Sequence, residues 1–159
     1  MDEKSRTQSM RAADLKEEEY FIEQYVNLRN SYTEVLLTSP VNIRETKEWL
    51  RRHDIEVRGV VQDDVLLGVV ILYMHNNGEV ACFVRYPNKG IGSKLLKMIE
   101  EVARGKKLGF IWAWVRKDNF IAQRAFEKNG FRKTEISERE YDNTLKQGIE
   151  YKKLLGEFP

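Results

Sequence analysis

The sequence predicts an α/β domain, a mixed sheet carrying helices, in the order β-α-α-β-β-β-α-β-α-β-β. Three observations predict it. Apolar residues recur at helical spacing up to about residue 53, and the period then falls to two over three consecutive β-branched runs. An amphipathic segment follows two closely spaced glycines, Gly90 and Gly92. A nearly wholly apolar run, "GFIWAWV" (109–115), stands between two helical patterns and reads as a strand buried on both faces.

Taken in order, residues 1–8 are polar and predict a flexible terminus ahead of a single domain over residues 9–159. A short strand is expected at 9–13. Asp14, with Glu17 three residues on, reads as a helix N-cap with a box-like partner. The helix it opens carries Leu15, Phe21, Ile22, Tyr25, Val26 and Leu28 and ends near Arg29-Asn30-Ser31. "TSPVN" (38–42) is a turn, because Pro40 lacks an amide hydrogen and biases Ser39 away from helix. A second helix is expected from 43 to about 53. The runs "EVRGVVQ" (56–62), "VLLGVVILYMH" (65–75) and "EVACFVR" (79–85), joined by Asp63-Asp64 and "NNG" (76–78), predict an antiparallel meander. In "SKLLKMIEEVARGKK", Leu95, Ile99 and Val102 form one stripe with Leu96 and Ala103 beside it, and Gly105 is the expected C-terminal cap. "DNFIAQRAFEKNGF" (118–131) reads as a helix capped by Asp118 or Asn119 and stopped by Gly130. Strands at about 132–139 and 148–155 flank a polar loop.

Composition narrows the function classes. The chain has 159 residues, 42% hydrophobic and 33% charged, which fits a folded globular domain and not a disordered one. Its 27 basic and 25 acidic side chains leave a net charge of +2, too balanced to point to nucleic acid. One cysteine, Cys82, excludes an internal disulfide framework and a cysteine-based metal site. No apolar stretch approaches the ~18–20 residues that span a membrane, and "MDEKSRTQSM" does not resemble a signal peptide. A cytoplasmic protein with no nucleic-acid or membrane partner is expected.

The stretch "RYPNKGIGSKLLKM" (85–98) raises the functional question. A P-loop requires G-x-x-x-x-G-K-[ST], and Gly92-Ser93-Lys94 does not fit it. A dinucleotide fingerprint requires a further glycine where Leu95 stands. What remains is a strand-to-helix bend whose amides at 90–93 converge at a positive helix end, an arrangement that suits a pyrophosphate. Lys89 and Lys94 would add charge. An ordinary turn that uses glycine for geometry alone also fits this segment.

"NKGIGSKLLKMIEEVA" resembles the acetyl-CoA pyrophosphate loop and helix of the GNAT superfamily of N-acetyltransferases. "NFIAQRAFEKNGF" resembles that family's second signature, met here by Asn119, Ala122, Phe126, Gly130 and Phe131. The resemblance covers about 57–131 well and the N-terminal helices by pattern only. It implies a GNAT-like acyl-CoA N-acyltransferase fold and acetyl-CoA as cosubstrate; nothing in the sequence has metal-ligand spacing, so no metal is expected. The strands at 79–85 and 109–115 would splay apart with the pantetheine arm between them. Cofactor contacts are then expected from Cys82, Phe83, Val84, Arg85, Asn88, Lys89, Gly90, Ile91, Gly92, Ser93, Lys94, Asn119 and Phe126. The sequence departs from the family pattern twice. Pro87 stands where Gln or Arg is usual, in a stretch about two residues short, so Arg85 is expected to supply the missing side chain. Phe126 stands where the family commonly has a tyrosine that protonates the departing thiolate.

The implied reaction is direct attack of a neutral primary amine on the thioester, with a carboxylate or water taking the proton. Glu79, opening its strand, is the first candidate for the base, with Tyr141 and Tyr73 behind it. Glu79 equally fits a solvated residue after a turn. A backbone amide around residues 82–84 would stabilise the oxyanion. No histidine is placed to activate Cys82 as a nucleophile. Arg29, Asn30 and Tyr32 are candidate substrate contacts, in a stretch that loosely resembles GNAT members acetylating nucleotide-linked amino sugars; Arg29 and Asn30 equally fit a plain helix end. The reading is an N-acetyltransferase for a small amine, an amino sugar among the candidates, with a homodimer left open. The alternatives are a protein N-terminal or lysine acetyltransferase and a CoA-binding regulatory module.

Overall fold

The computed structural model describes residues 9–87 and 89–156. The terminus expected to be flexible, residues 1–8, and the candidate cofactor contact Asn88 lie outside them. The strands are β1 (Arg11–Asp14), β2 (Ile55–Gln62), β3 (Val65–Tyr73), β4 (Glu79–Val84), β5 (Phe110–Arg116), β6 (Arg132–Tyr141) and β7 (Thr144–Leu154). The α-helices are α1 (Ile22–Asn30), α2 (Thr33–Leu36), α3 (Ile43–Trp49), α4 (Ile91–Gly105) and α5 (Phe120–Lys128). Among the described residues the seven strands form one sheet, ordered β1-β2-β3-β4-β5-β7-β6. β4 and β5 are parallel and every other neighbour pair is antiparallel, so the mixed α/β sheet read from the sequence is the fold observed.

Two cores sit on the two faces of this sheet. On one, α4 and α5 bury Leu95, Leu96, Ile99 and Phe126 against Val70, Val80, Ile111 and Ala113. On the other, α1 and α3 enclose Phe21, Tyr25 and Val26 over Val57, Val69, Ile71 and Phe83. The meander closes as expected: Asp63 and Asp64 take φ of 50° and 63°, the left-handed pair that a two-residue hairpin turn requires.

Several expectations shift. Asp14 ends β1 and caps no helix. Its Oδ1 accepts from the Lys16 amide at 3.0 Å, closing a local turn, while the Leu15 amide still donates to the Val57 carbonyl. The helix begins only at Ile22, behind a 3-10 turn at Glu19–Phe21. α3 ends at Trp49, short of residue 53; it is capped by Asn42, whose Oδ1 accepts from the Glu45 amide at 2.8 Å. The short α2 was not read from the sequence; it ends at Leu37, φ 54°. Gly105 is the last residue of α4, and Lys107, φ 60°, takes the left-handed position after it. β5 is buried on one face only. Ile111, Ala113 and Val115 pack under α4, but Trp112 and Trp114 project to the side where α1 covers β3 and β4 and leaves β5 half open. The polar loop before β7 shrinks to Asp142-Asn143, φ 51° and 61°, so β6 and β7 form a long hairpin.

Candidate active site

β4 and β5 pair in register only at Glu79↔Trp112, next to a hydrogen bond from the Trp112 amide to the Gly78 carbonyl at 3.2 Å. Beyond that point the two strands diverge, and the edge of β4 facing β5 has no ladder partner. The gap opens into a cavity of about 500 Å³ bounded by β4, the start of α4 and one side of α5. Gly90 caps α4 at φ 76°, a conformation that favours glycine. A Cβ on Gly90 or Gly92 would meet nothing within 4 Å, so open space lies against this backbone. The Lys94 amide donates to the Gly90 carbonyl at 3.3 Å, which leaves the amides of Ile91, Gly92 and Ser93 ahead of the helical ladder. Unpaired amides, a positive helix end and an open cradle fit a diphosphate. Arg124 and Lys128, one turn apart on α5, border the same cavity and add positive charge.

The expected cofactor contacts divide. Cys82, Val84, Gly90, Ile91, Gly92, Ser93, Asn119 and Phe126 line this cavity. Lys89 and Lys94 are exposed and do not. Phe83 turns its ring to the opposite core, 6.0 Å from Tyr25 and 5.8 Å from Tyr32. Arg85 is held on β3: its Nε donates to the Leu66 carbonyl at 2.9 Å and its amide to the Leu67 carbonyl at 2.7 Å. Asn119 caps α5 through the Ala122 amide, at 3.2 Å. Phe126 stands edge-on to Phe131 and stacks on Tyr151, a packing role beside its place in the wall. Burial pushes the Cys82 thiol up to about 12, so it stays protonated and is a poor nucleophile at neutral pH.

A second cavity, of about 240 Å³, adjoins the first. Both are lined by Val35, Cys82, Asn119, Ala122 and Phe126, so the passage between β4 and β5 joins them. Its walls carry Arg29 from α1, Glu79 from β4, Arg116 from β5 and Arg139 from β6. Glu79 Oε2 accepts from Arg139 Nη2 at 2.6 Å and its Oε1 from Asn76 Nδ2 at 2.8 Å. The Arg139 guanidinium lies over the rings of Trp114, at 4.9 Å, and Trp112, at 5.7 Å. Trp114 in turn lies flat on Gly148, where a Cβ would come within 2.1 Å of its indole. Arg116 pairs with Asp118 at 2.9 Å. Tyr73 also borders this cavity; burial raises its hydroxyl above the ordinary range, with Arg29 pulling the other way.

Of the remaining candidates, Arg29 lines the second cavity and donates one Nη1 bond to the Ser39 carbonyl at 3.1 Å. Asn30 spends both ends of its amide on the Val41 backbone, at 2.8 and 2.9 Å, and pins the loop after α2. Tyr32 lines the cofactor cavity and donates its hydroxyl to the Val84 carbonyl; burial pushes the pKa of that hydroxyl up and makes it a weaker acid. Tyr141 borders neither cavity and points its hydroxyl to the Thr38 carbonyl at 3.5 Å. Arg116 and Arg139 were not singled out from the sequence. Nor were Arg124 and Lys128, although their four-residue spacing on one helix face was a usable signal.

Comparison with known proteins agrees with this geometry. Residues 19–131 match the model of the acetyltransferase (GNAT) family. A Salmonella typhimurium structure that holds its cofactor acetyl-CoA superposes with a TM-score of 0.83 at 15% identity, covering 95% of this chain and 96% of that one. Ribosomal-protein-alanine N-acetyltransferase from Brucella melitensis gives 0.79 at 17% identity, with 92% and 99% covered. Spermidine N-acetyltransferase from Vibrio cholerae, in complex with CoA and spermine, gives 0.76 at 18% identity, with 95% and 96% covered. No curated protein matches significantly by sequence. With a family match over more than half its length, on the fold and around the splayed strands described above, the chain belongs to the acetyltransferase (GNAT) family, whose members are acyltransferases that use acetyl-CoA.

Proposed function

We propose that the chain acetylates the primary amine of a small molecule, an amino sugar among the candidates, which enters through the 240 Å³ cavity. The observation that carries this reading is a small cavity opening onto the β4–β5 passage, with Glu79 as the one carboxylate among its described lining residues. A protein substrate needs an open groove for extended backbone. Here the Tyr141 hydroxyl comes within 3.5 Å of the Thr38 carbonyl and Arg116 Nη1 within 3.5 Å of the Glu34 carbonyl, so the β6–β7 hairpin, β5 and the α2 segment meet across the mouth.

Bound acetyl-CoA supplies an activated acyl carbon: the amine nitrogen bonds to it, the C–S bond breaks, and the electron pair leaves on the thiolate. Glu79 takes the amine's proton, through a water where its two oxygens are engaged by Arg139 and Asn76. The unpaired β5-facing edge of β4 offers backbone amides near Cys82 and Val84 to the developing oxyanion. The amides of residues 91–93, with Arg124 and Lys128, hold the diphosphate end. Phe126 has no proton to give, and the reaction relies instead on the acidity of a thiol, near pKa ~8.5, which lets the thiolate depart unaided.

Incubation with acetyl-CoA and a panel of amines, followed by free-thiol detection, tests the proposal. Glu79→Gln lowers kcat by ~10²–10⁴-fold while CoA affinity is retained. A variant that runs at full speed removes Glu79 as the base. CoA binding without turnover of any amine favours the regulatory module.

A further inference from the structure

We propose that the acceptor amine carries an anionic group, a carboxylate or a phosphoryl group, that seats on Arg29. The inference rests on the small-amine reading above and names the class of amine.

The charges around the acceptor cavity do not cancel. Three guanidinium groups line it against one carboxylate. Two of the three are matched: Arg139 by Glu79 at 2.6 Å and by the indoles beneath it, Arg116 by Asp118 at 2.9 Å. Arg29 is not. Among the described residues no carboxylate lies within ion-pair distance of it, and its partners are neutral: the Ser39 carbonyl at 3.1 Å and the Tyr25 hydroxyl. It is half-buried, and its charge acts on the hydroxyls of Tyr25 and Tyr73 beside it. A half-buried guanidinium with most of its donors unspent gains from an anion, and its planar fork matches a carboxylate or phosphate through two parallel bonds.

The same field acts on the reacting nitrogen. A cavity with excess positive charge disfavours an ammonium and favours the neutral amine, which is the nucleophile the reaction needs. A zwitterion or an amino phosphate gains at Arg29 and is helped to shed its proton. A polyamine gains nothing at Arg29 and brings further charge into a cationic site. At 240 Å³ the cavity suits a compact acceptor such as an α-amino acid or a monosaccharide phosphate.

The test uses matched pairs that differ only in the anion: glucosamine 6-phosphate against glucosamine, and α-amino acids against their amides, with spermine as the cationic extreme. At least one anionic member is acetylated with kcat/KM about 10–100-fold above its neutral counterpart. In Arg29→Gln that gap closes: KM for the anionic member rises about tenfold while kcat, CoA affinity and the neutral member's KM change little, and Arg29→Lys restores part of it. Arg44→Gln, on the exposed side of α3, leaves the gap intact. Wild-type protein gives an independent measure. The des-amino acid, which keeps the carboxylate and cannot be acetylated, competes with the amine, and its amide does not. Preference for spermine or for the neutral members, or an equal loss for both members in Arg29→Gln, overturns the proposal and leaves the acetyltransferase reading standing. Turnover of no amine by protein that binds CoA overturns the small-amine reading itself.

Discussion

The two cavities are built by different means. The cofactor cavity is shaped by backbone: a left-handed Gly90, three amides ahead of the α4 ladder, and two strands that part after a single paired residue. The acceptor cavity is shaped by side chains that hold one another: Glu79 on Arg139, Arg139 on two tryptophans, Trp114 on Gly148. On the proposed function the first binds a group common to a whole family through its amides, and so tolerates most side-chain changes. The second is an interlocked stack in which one displaced member releases the rest. Substitutions that strike one cavity should therefore spare the other.

The largest separation comes from Gly92→Asp. The position has ordinary helical φ and open space around its Cβ, so the variant folds. Its carboxylate, however, stands where the proposed function seats the diphosphate, and two like charges at close approach near a protein surface cost enough to weaken binding by about 10³-fold. Calorimetric titration with CoA reads this directly. Unchanged affinity at an unchanged melting temperature would move the diphosphate away from α4.

Gly148→Ala strikes the other cavity with a smaller effect. The new methyl carbon would overlap the Trp114 indole, and a rigid ring beneath a stacked guanidinium has little room to yield. Overpacking of this kind costs ~1–3 kcal/mol. The displaced ring carries Arg139 and thereby Glu79 with it, so acceptor kcat/KM falls about 10–100-fold while CoA affinity stays within about twofold. Loss of CoA binding in parallel would show that the cavities are coupled through the sheet and are not separate constructions.

The difference in construction also decides what the sequence disclosed. A backbone device needs special residues at short range, and Gly90, Gly92, Asn119 and the apolar stripe of α4 are all local signals; the first three border the cofactor cavity, while the stripe packs in the core and gives only Leu96 to the wall. The acceptor cavity has no such signature. Arg116 and Arg139 meet because β5 pairs with β7 and β7 with β6, a neighbourhood set by sheet order and invisible in spacing. Asp142-Asn143 did carry a turn signal, but reading it as a loop hid the length of the hairpin and with it the approach of Tyr141 to Thr38. Asp14 misled in the opposite way, since an aspartate that closes a turn on its own backbone has the same local pattern as one that caps a helix.

The smallest effect isolates the electrostatics of the acceptor side. Glu150 on β7 is the register partner of both Trp114 and Glu135. Partial burial, and next the Glu135 carboxylate across the strand, raise it above the usual 4.5, with Ser137 and Arg139 pulling the other way. A carboxyl raised on folding is most compatible with the native state while protonated. Its contribution is fully present below the unfolded value and is lost as pH rises through the folded one. At neutral pH two like charges therefore face each other across β6 and β7, and Glu150→Gln removes one of them. Melting temperature should rise by about 1–2 °C at pH 7 and change little at pH 4, where the wild-type pair already carries a proton. An equal gain at both pH values would trace the effect to packing on Trp114 and not to charge, while a change in CoA affinity would reach across the passage that the two cavities share.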